Sequence, residues 1–238
     1  MQMGRVGFKY NKQFLDVYSY LIYTESGKVY LYDTGLNEMF VTAKDEILQD
    51  LGLFMEVEVK REELLGEKLK QYAIEKNSIQ GVICSHLHFD HAGGLPEFAG
   101  TSVKLLMQRK EYEEAQNTVR SFEYKREDFD FLTERGNLVL VDGESLIDGN
   151  DMLQCIQTSG HSAGHLSLLL VGRNKKMLLT GDAVYTTNQM VQGKLSSLPY
   201  RKQEAMDSLK RIQKMAENFD YVICGHDCEE YANQEIYL

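Results

Sequence analysis

Apolar residues fall along this chain in short runs, and most of the runs have the length and β-branched or aromatic content of strands. Residues 17–23 and 28–33 are two such runs split by Thr24-Glu25-Ser26-Gly27, a pattern that predicts a hairpin. Residues 81–84 and 103–107 read as further strands, as do 137–142, 152–158, 165–172, 176–180 and 221–224, with turns at Asp142-Gly143 and Asp148-Gly149-Asn150. Helical spacing appears over 62–75, with Leu65, Leu69, Tyr72 and Ala73 as the stripe, over 109–117, and over 202–217, with Ala205, Leu209, Ile212 and Ala216 on one face. Residues 40–60 carry Leu51, Leu53, Phe54, Met55 and Val57 without a clear period, and suit core, a dimer contact or a flap. The segment 118–136 is highly charged yet holds Phe122, Tyr124, Phe129 and Phe131; it reads as an exposed connection or lid, or as a solvated helix anchored by its aromatics. Both halves, about 1–110 and 137–238, place strands first and then a helix, a strand and a polar loop. That order predicts stacked αβ layers with a site at one end of a sheet sandwich.

Composition narrows the class. A chain of 238 residues with 43% apolar content can bury a sizeable core. A net charge of −10 argues against a nucleic-acid partner, which needs a basic surface. No run is long enough for a membrane span, and the N-terminus lacks a signal-peptide pattern. Cys84, Cys155, Cys224 and Cys228 show no disulfide framework, so a soluble cytoplasmic protein with reduced thiols is expected. Cys224 and Cys228 flank His226 and read as small core side chains beside a site.

The chemistry concentrates in Cys84-Ser85-His86-Leu87-His88-Phe89-Asp90-His91-Ala92-Gly93-Gly94, which holds three of the six histidines. The stretch follows a predicted strand, and Pro96 is placed to open a short helix beyond it. Residues two apart share a strand face, so His86 and His88 aim at one point while Asp90 and His91 turn toward a second. Imidazole with carboxylate suits Zn, Fe or Mn, and such a cluster reads as a pair of metals sharing a water. Three more candidate ligands, His161, Asp182 and His226, each follow a glycine near a predicted strand end. Asp33, in Asp33-Thr34-Gly35, ends another strand, where it can orient a metal ligand or close an Asx turn.

The set His86-x-His88-x-Asp90-His91 with His161, Asp182 and His226 resembles the metallo-β-lactamase superfamily. Ser85–Gly94, the Gly160-His161-Ser162-Ala163-Gly164-His165 loop, and Asp182 followed by Tyr185 resemble its N-acyl-homoserine lactone lactonases. The loop carries Ser159 and Ala163 where that family has prolines. The resemblance implies an α/β fold, an αββα four-layer sandwich with mixed sheets and outer helices, formed as one domain. It implies two divalent metal ions, Zn foremost with Fe, Mn or Co as alternatives: His86, His88 and His161 hold the first, Asp90, His91 and His226 the second, and Asp182 bridges them. His165 is then a supporting residue. A bridging hydroxide would attack a lactone carbonyl, Tyr185 would hydrogen-bond the developing oxyanion, and Asp90 would pass a proton to the leaving alkoxide. The expected partner is a small lactone or ester, with neither nucleic acid nor membrane, and the chain is a monomer or homodimer. Other ester or thioester hydrolysis, or a di-iron redox role, are the competing readings; only 12 residues follow His226, which disfavours an appended glutathione-binding region.

Overall fold

The computed structural model of the chain describes residues 1–238 apart from 11, 49–50, 118–121, 135, 148–149, 196–198, 228 and 233. Cys228 and the predicted turn at 148–149 therefore lie outside the described residues. The chain divides into two compact units, one formed by 1–106 with 118–139 and the other by 107–117 with 140–238.

The first unit opens with strands that the hydrophobic pattern does not single out. Strands β1 (Gln2–Phe8) and β2 (Gln13–Tyr18) pair antiparallel, and β5 (Met55–Glu58) joins the other edge of β1 to give the order β2-β1-β5. In β5, Met55 and Val57 are buried while Glu56 and Glu58 face out, the period-2 alternation of a half-buried strand. The neighbouring Leu53 and Phe54, both exposed, had masked that period. The predicted strand 17–23 is split at buried Ser19, whose amide bonds Met1 O; β2 ends there and β3 (Tyr20–Tyr23) enters a different sheet. β3 forms the predicted hairpin with β4 (Val29–Tyr32).

A five-stranded sheet then runs in the order β3-β4-β6-β7-β8, with β6 at Ile79–Ile83, β7 at Lys104–Gln108 and β8 at Leu138–Val141. β4 lies parallel to β6, and β6 to β7. Leu31, Val82, Leu87, Leu95, Phe98, Leu105 and Phe129 are fully buried in this unit. The helix expected over 62–75 is shorter, Leu65–Gln71, because Ala73 turns into left-handed backbone (φ 53°). Leu65 and Leu69 are buried as expected, whereas Tyr72 lies past the helix and is exposed. Pro96 sits in the first turn of the 3₁₀ helix Leu95–Phe98. Of the charged segment after 118, Tyr124, Phe129 and Leu132 are buried within the first unit.

The second unit carries β9 (Ser145–Ile147), β10 (Asn150–Gln157), β11 (Leu166–Val171), β12 (Lys176–Leu179) and β13 (Tyr221–Ile223), in the order β13-β12-β11-β10-β9. Only the β12–β13 pair is parallel among its recorded registers. The helix Lys202–Ala216 presents Ala205, Leu209 and Ile212 inward, and Leu209 and Ile212 pack with Leu178, Val184 and Cys224. Among the described residues no helix is long and apolar enough to cross a membrane, and Cys84, Cys155 and Cys224 are buried and form no disulfide.

Asp128 is an isolated buried acid in this framework. Its Oδ1 accepts from Asn37 Nδ2 at 2.6 Å, while Oδ2 is buried with no hydrogen-bond partner among the described residues. Burial pushes its carboxyl up to about 7 from the ordinary 3.8, against the opposing pull of the Asn37 hydrogen bond. The folded state therefore keeps a proton that the unfolded chain loses near pH 4. The associated stabilisation is complete below that pH and is lost as pH rises through about 7. Asp128→Asn keeps an acceptor for Asn37 without the charge. Its melting temperature is expected to match or trail wild type near pH 5 and exceed it by several degrees at pH 8. Parallel melting curves across that range would show that the carboxyl does not titrate in the folded chain.

Candidate metal centre

In the first unit the site begins where parallel strands stop. Asp33 follows β4 and Ser85 follows β6 by two residues; the Asp33 amide continues the ladder to Ile83 O at 3.0 Å. Asp33 takes left-handed backbone (φ 58°), a conformation Asp tolerates better than most residues. Its buried carboxylate accepts from Ser85 N (2.6 Å), Ser85 Oγ (2.7 Å) and His91 Nδ1 (2.9 Å). A carboxylate can only accept, so the His91 proton lies on Nδ1 and Nε2 carries the lone pair. Ser85 Oγ donates to Asp33, so it accepts from His86 Nδ1 at 2.9 Å, which again assigns the lone pair to Nε2. One acid thus sets the tautomer of two imidazoles, directly and through a hydroxyl.

His86, His88, Asp90 and His91 are all buried. The His86 ring lies 4.5 Å from His88 and 4.2 Å from His91, and Asp90 Oδ2 is 3.6 Å from His91 Nε2. Asp90 and His91 sit in the short helix Phe89–Ala92, bound to the Asp33-Thr34-Gly35 turn through Thr34 N to His91 O at 2.8 Å. A Cβ at Gly93 would stand 2.2 Å from Asn37 N, so that approach requires glycine. Glu123 Oε2 is 3.8 Å from His88 Nε2, and the Tyr124 ring meets His88 edge-on at 4.8 Å. Neither contact was foreseen: a charged run with irregular aromatics gives no register that would place them.

The second unit builds its part the same way. The Thr180 amide bonds Ile223 O at 2.9 Å, so the ends of parallel β12 and β13 lie together. Asp182 leaves one and His226 the other. Asp182 Oδ2 is 3.4 Å from His161 Nε2 and 3.2 Å from His226 Nε2, and Oδ1 is also 3.2 Å from His226 Nε2. A Cβ at Gly225 would lie 2.6 Å from Gly181 O and 2.8 Å from Asp182 Oδ1. Tyr185, almost wholly buried, sets its ring edge-on to His226 at 4.9 Å and to His161 at 5.6 Å.

His165 supports Asp182 from behind. Its Nε2 accepts the Asp182 amide at 2.9 Å, so its proton is on Nδ1, pointing to Thr158 Oγ1 at 2.9 Å. Thr158 Oγ1 meets Ser167 Oγ at 2.8 Å, and Ser167 donates to Thr180 O at 2.7 Å. The line of donors runs one way, from His165 to a carbonyl beside Asp182.

The sequence-predicted residues therefore assemble within each unit: His86, His88, Asp90 and His91 in the first, and His161, Asp182, His226 and Tyr185 in the second. All seven predicted ligands belong to buried His/Asp triads able to hold a metal ion, and the triads are consistent with a dinuclear centre. Their imidazole nitrogens and carboxylate oxygens suit Zn, Fe or Mn.

Fold and donor set define a class. Residues 13–226 match the metallo-β-lactamase superfamily model, and the chain belongs to that superfamily, with its α/β fold of mixed sheets. Within it, the chain is an N-acyl homoserine lactonase-like, metal-dependent hydrolase. It is 34% identical over 223 residues to an N-acyl homoserine lactonase of Bacillus sp, covering 91% of this chain and 83% of that one. It is 32% identical, with the same coverage, to the N-acyl homoserine lactonase AiiA of Bacillus thuringiensis subsp. kurstaki. The solved structure of an N-acyl homoserine lactone hydrolase, with N-hexanoyl-L-homoserine bound at its catalytic metal centre, superposes with a TM-score of 0.84 at 27% identity, covering all of this chain (100%) and 95% of that one.

Asp33 gives a test of the outer support. Asn tolerates the same backbone and keeps one acceptor, but its amide cannot accept from all three donors. Asp33→Asn is expected to weaken metal binding about 10–100-fold while the chain stays folded. Competition with a chromophoric chelator measures this, and an unchanged dissociation constant would remove Asp33 from the site.

Proposed function

We propose that this chain opens the ring of N-acyl-homoserine lactones by metal-dependent hydrolysis. His86, His88 and His161 hold one divalent cation, Asp90, His91 and His226 hold a second, and Asp182 belongs to both. The observation that carries the assignment is Asp182: one buried carboxylate lies between two imidazoles, within 3.4 Å of His161 Nε2 and 3.2 Å of His226 Nε2. A carboxylate in that position suits a bridge better than a terminal ligand. The relatives' activity and the close likeness to a product-bound lactone hydrolase support lactones as the substrate class. Zn is the metal we favour, and the buried thiols of Cys84, Cys155 and Cys224, none in a disulfide among the described residues, accord with a reducing cytoplasmic setting.

When bound, such a cation pair lowers the pKa of water and polarises a carbonyl oxygen. The protein's own groups do the rest. Tyr185, the phenol beside His161 and His226, donates a hydrogen bond to the substrate carbonyl as negative charge develops on its oxygen. Asp90 carries a proton to the alkoxide released when the ring C–O bond breaks. Water adds across that bond, giving a carboxylate and a hydroxyl in the open-chain product. The buried imidazoles around the acid keep bulk water from competing for these hydrogen bonds.

The test is a pH-stat assay with acyl-homoserine lactones, plain γ-lactones, aryl esters and thioesters, each with and without chelator. Ring opening of the acyl lactones is expected to be fastest and to vanish on chelation. Turnover by fully demetallated protein would overturn the proposal, and a preference for thioesters would redirect it. Tyr185→Phe is expected to lower kcat by about 10²-fold with metal content intact. Unchanged kinetics would take Tyr185 out of the reaction.

A further inference from the structure

The loop that presents His161, residues 158–165, carries no proline and two glycines, Gly160 and Gly164. It nevertheless has to hold one imidazole still. The structure places a buried glutamate against it. Glu111, in the helix Arg109–Asn117, is fully buried, and one of its oxygens, Oε2, accepts from Ser162 Oγ at 2.7 Å and from Gly164 N at 2.8 Å. A Cβ at Gly164 would stand 2.3 Å from Glu111 N and 2.7 Å from its Cβ, so the loop backbone lies directly on the helix. The opposite side of the loop is tied to the helix Lys202–Ala216 and to the two residues just before it. Ser208 Oγ donates to Ser159 O at 2.7 Å, Arg201 N to Gly160 O at 2.9 Å, and Tyr200 N to His161 O at 3.1 Å. His161 is thus set between two anchored flanks, and the Glu111 side is held through a side-chain carboxylate.

We infer that Glu111 is a positioning residue for His161, holding the loop through two hydrogen bonds to the residues on its C-terminal side, and so sets the affinity of the metal position to which His161 belongs. The inference rests on the metal-ligand assignment proposed above. Charge-assisted bonds from a hydroxyl and an amide are strong when desolvated. Losing their shared acceptor leaves both donors buried and frees the loop to sample rotamers and backbone that withdraw the imidazole. A carboxylate clamp acts only once the helix 109–117 has docked. Metal affinity is then coupled to that docking.

The experiment is Zn²⁺ titration of the demetallated full chain against a chromophoric chelator, with Co²⁺ absorption spectra and chelator-free melting curves alongside. Glu111→Ala is expected to weaken one of two metal equivalents at least about 10-fold and to alter the Co²⁺ bands. Ser162→Ala, which removes one donor and leaves the clamp in place, is expected to weaken the same equivalent several-fold. Glu111→Gln, which keeps an acceptor without charge, is expected to lose less than Glu111→Ala. A merely structural glutamate would lower the melting temperature of the metal-free chain and leave both dissociation constants and the spectrum unchanged. That result in Glu111→Ala, or in Ser162→Ala should the first variant fail to fold, would overturn the inference. Failure of wild type itself to bind two equivalents would instead overturn the ligand assignment.

Discussion

In each unit two neighbouring strands run parallel, and parallel pairing brings their carboxyl ends to one edge. β4 and β6 end at Asp33 and Ser85; β12 and β13 end near Asp182 and His226. A hairpin cannot achieve this, since its ends point oppositely. The crossover between β4 and β6 spans 33–78, and that between β12 and β13 spans 180–220 and includes the helix Lys202–Ala216. The chemistry is therefore placed by topology before any side chain is chosen. Open α/β sheets generally bind ligands outside the carboxyl ends of their strands, and both units follow that rule.

Much of this edge can be read from the sequence. The HxHxDH spacing, the glycine before each of His161, Asp182 and His226, and the strand-like runs ahead of them mark the candidate donors because ligands must be chemically distinctive and the turns that hold them need glycine. The amphipathic helix over 202–217 was equally plain, since a single apolar stripe faces one core. The N-terminal sheet was not legible: β5 alternates over only four residues, beside exposed Leu53 and Phe54 that blur its period. Ser19 hides in a continuous β-rich run, because the change of sheet there is dictated by pairing with Met1 rather than by any turn residue. Glu111 reads as one more surface charge of a polar helix. The one available signal was its i, i+4 relation to Ala115, the other buried residue of that helix.

Four buried acids show how partner count divides structural from site roles. Asp33 accepts three hydrogen bonds, one from a histidine, and orders two imidazoles. Asp182 meets two imidazoles with its side chain while its own amide is held by a third, His165. Glu111 gathers a hydroxyl and an amide onto one oxygen. Asp128 receives a single neutral donor, and burial raises its carboxyl to about 7. An acid in a dry interior needs several donors or a cation to remain ionised. Asp33 is surrounded by donors; Asp182 lies against two imidazole nitrogens, where a cation could share it; among the described residues Asp128 has only the Asn37 amide, and burial raises its carboxyl to about 7.

The contrast also explains why Asp33 and Asp182 are not interchangeable. Asp33 fixes Nδ1 of His91 as a donor and, through Ser85, Nδ1 of His86 as another, which turns the Nε2 lone pair of each away from the acid. Asp182 lies beside Nε2 of its own two histidines. Asp33 stands behind its imidazoles, and Asp182 beside the Nε2 atoms of the other two. In a site holding a cation, Asp33 would act through orientation and Asp182 through contact. His165 repeats Asp33's position in the second unit with a neutral ring, because what it must hold is an amide N–H rather than an imidazole, and a lone pair suffices for that.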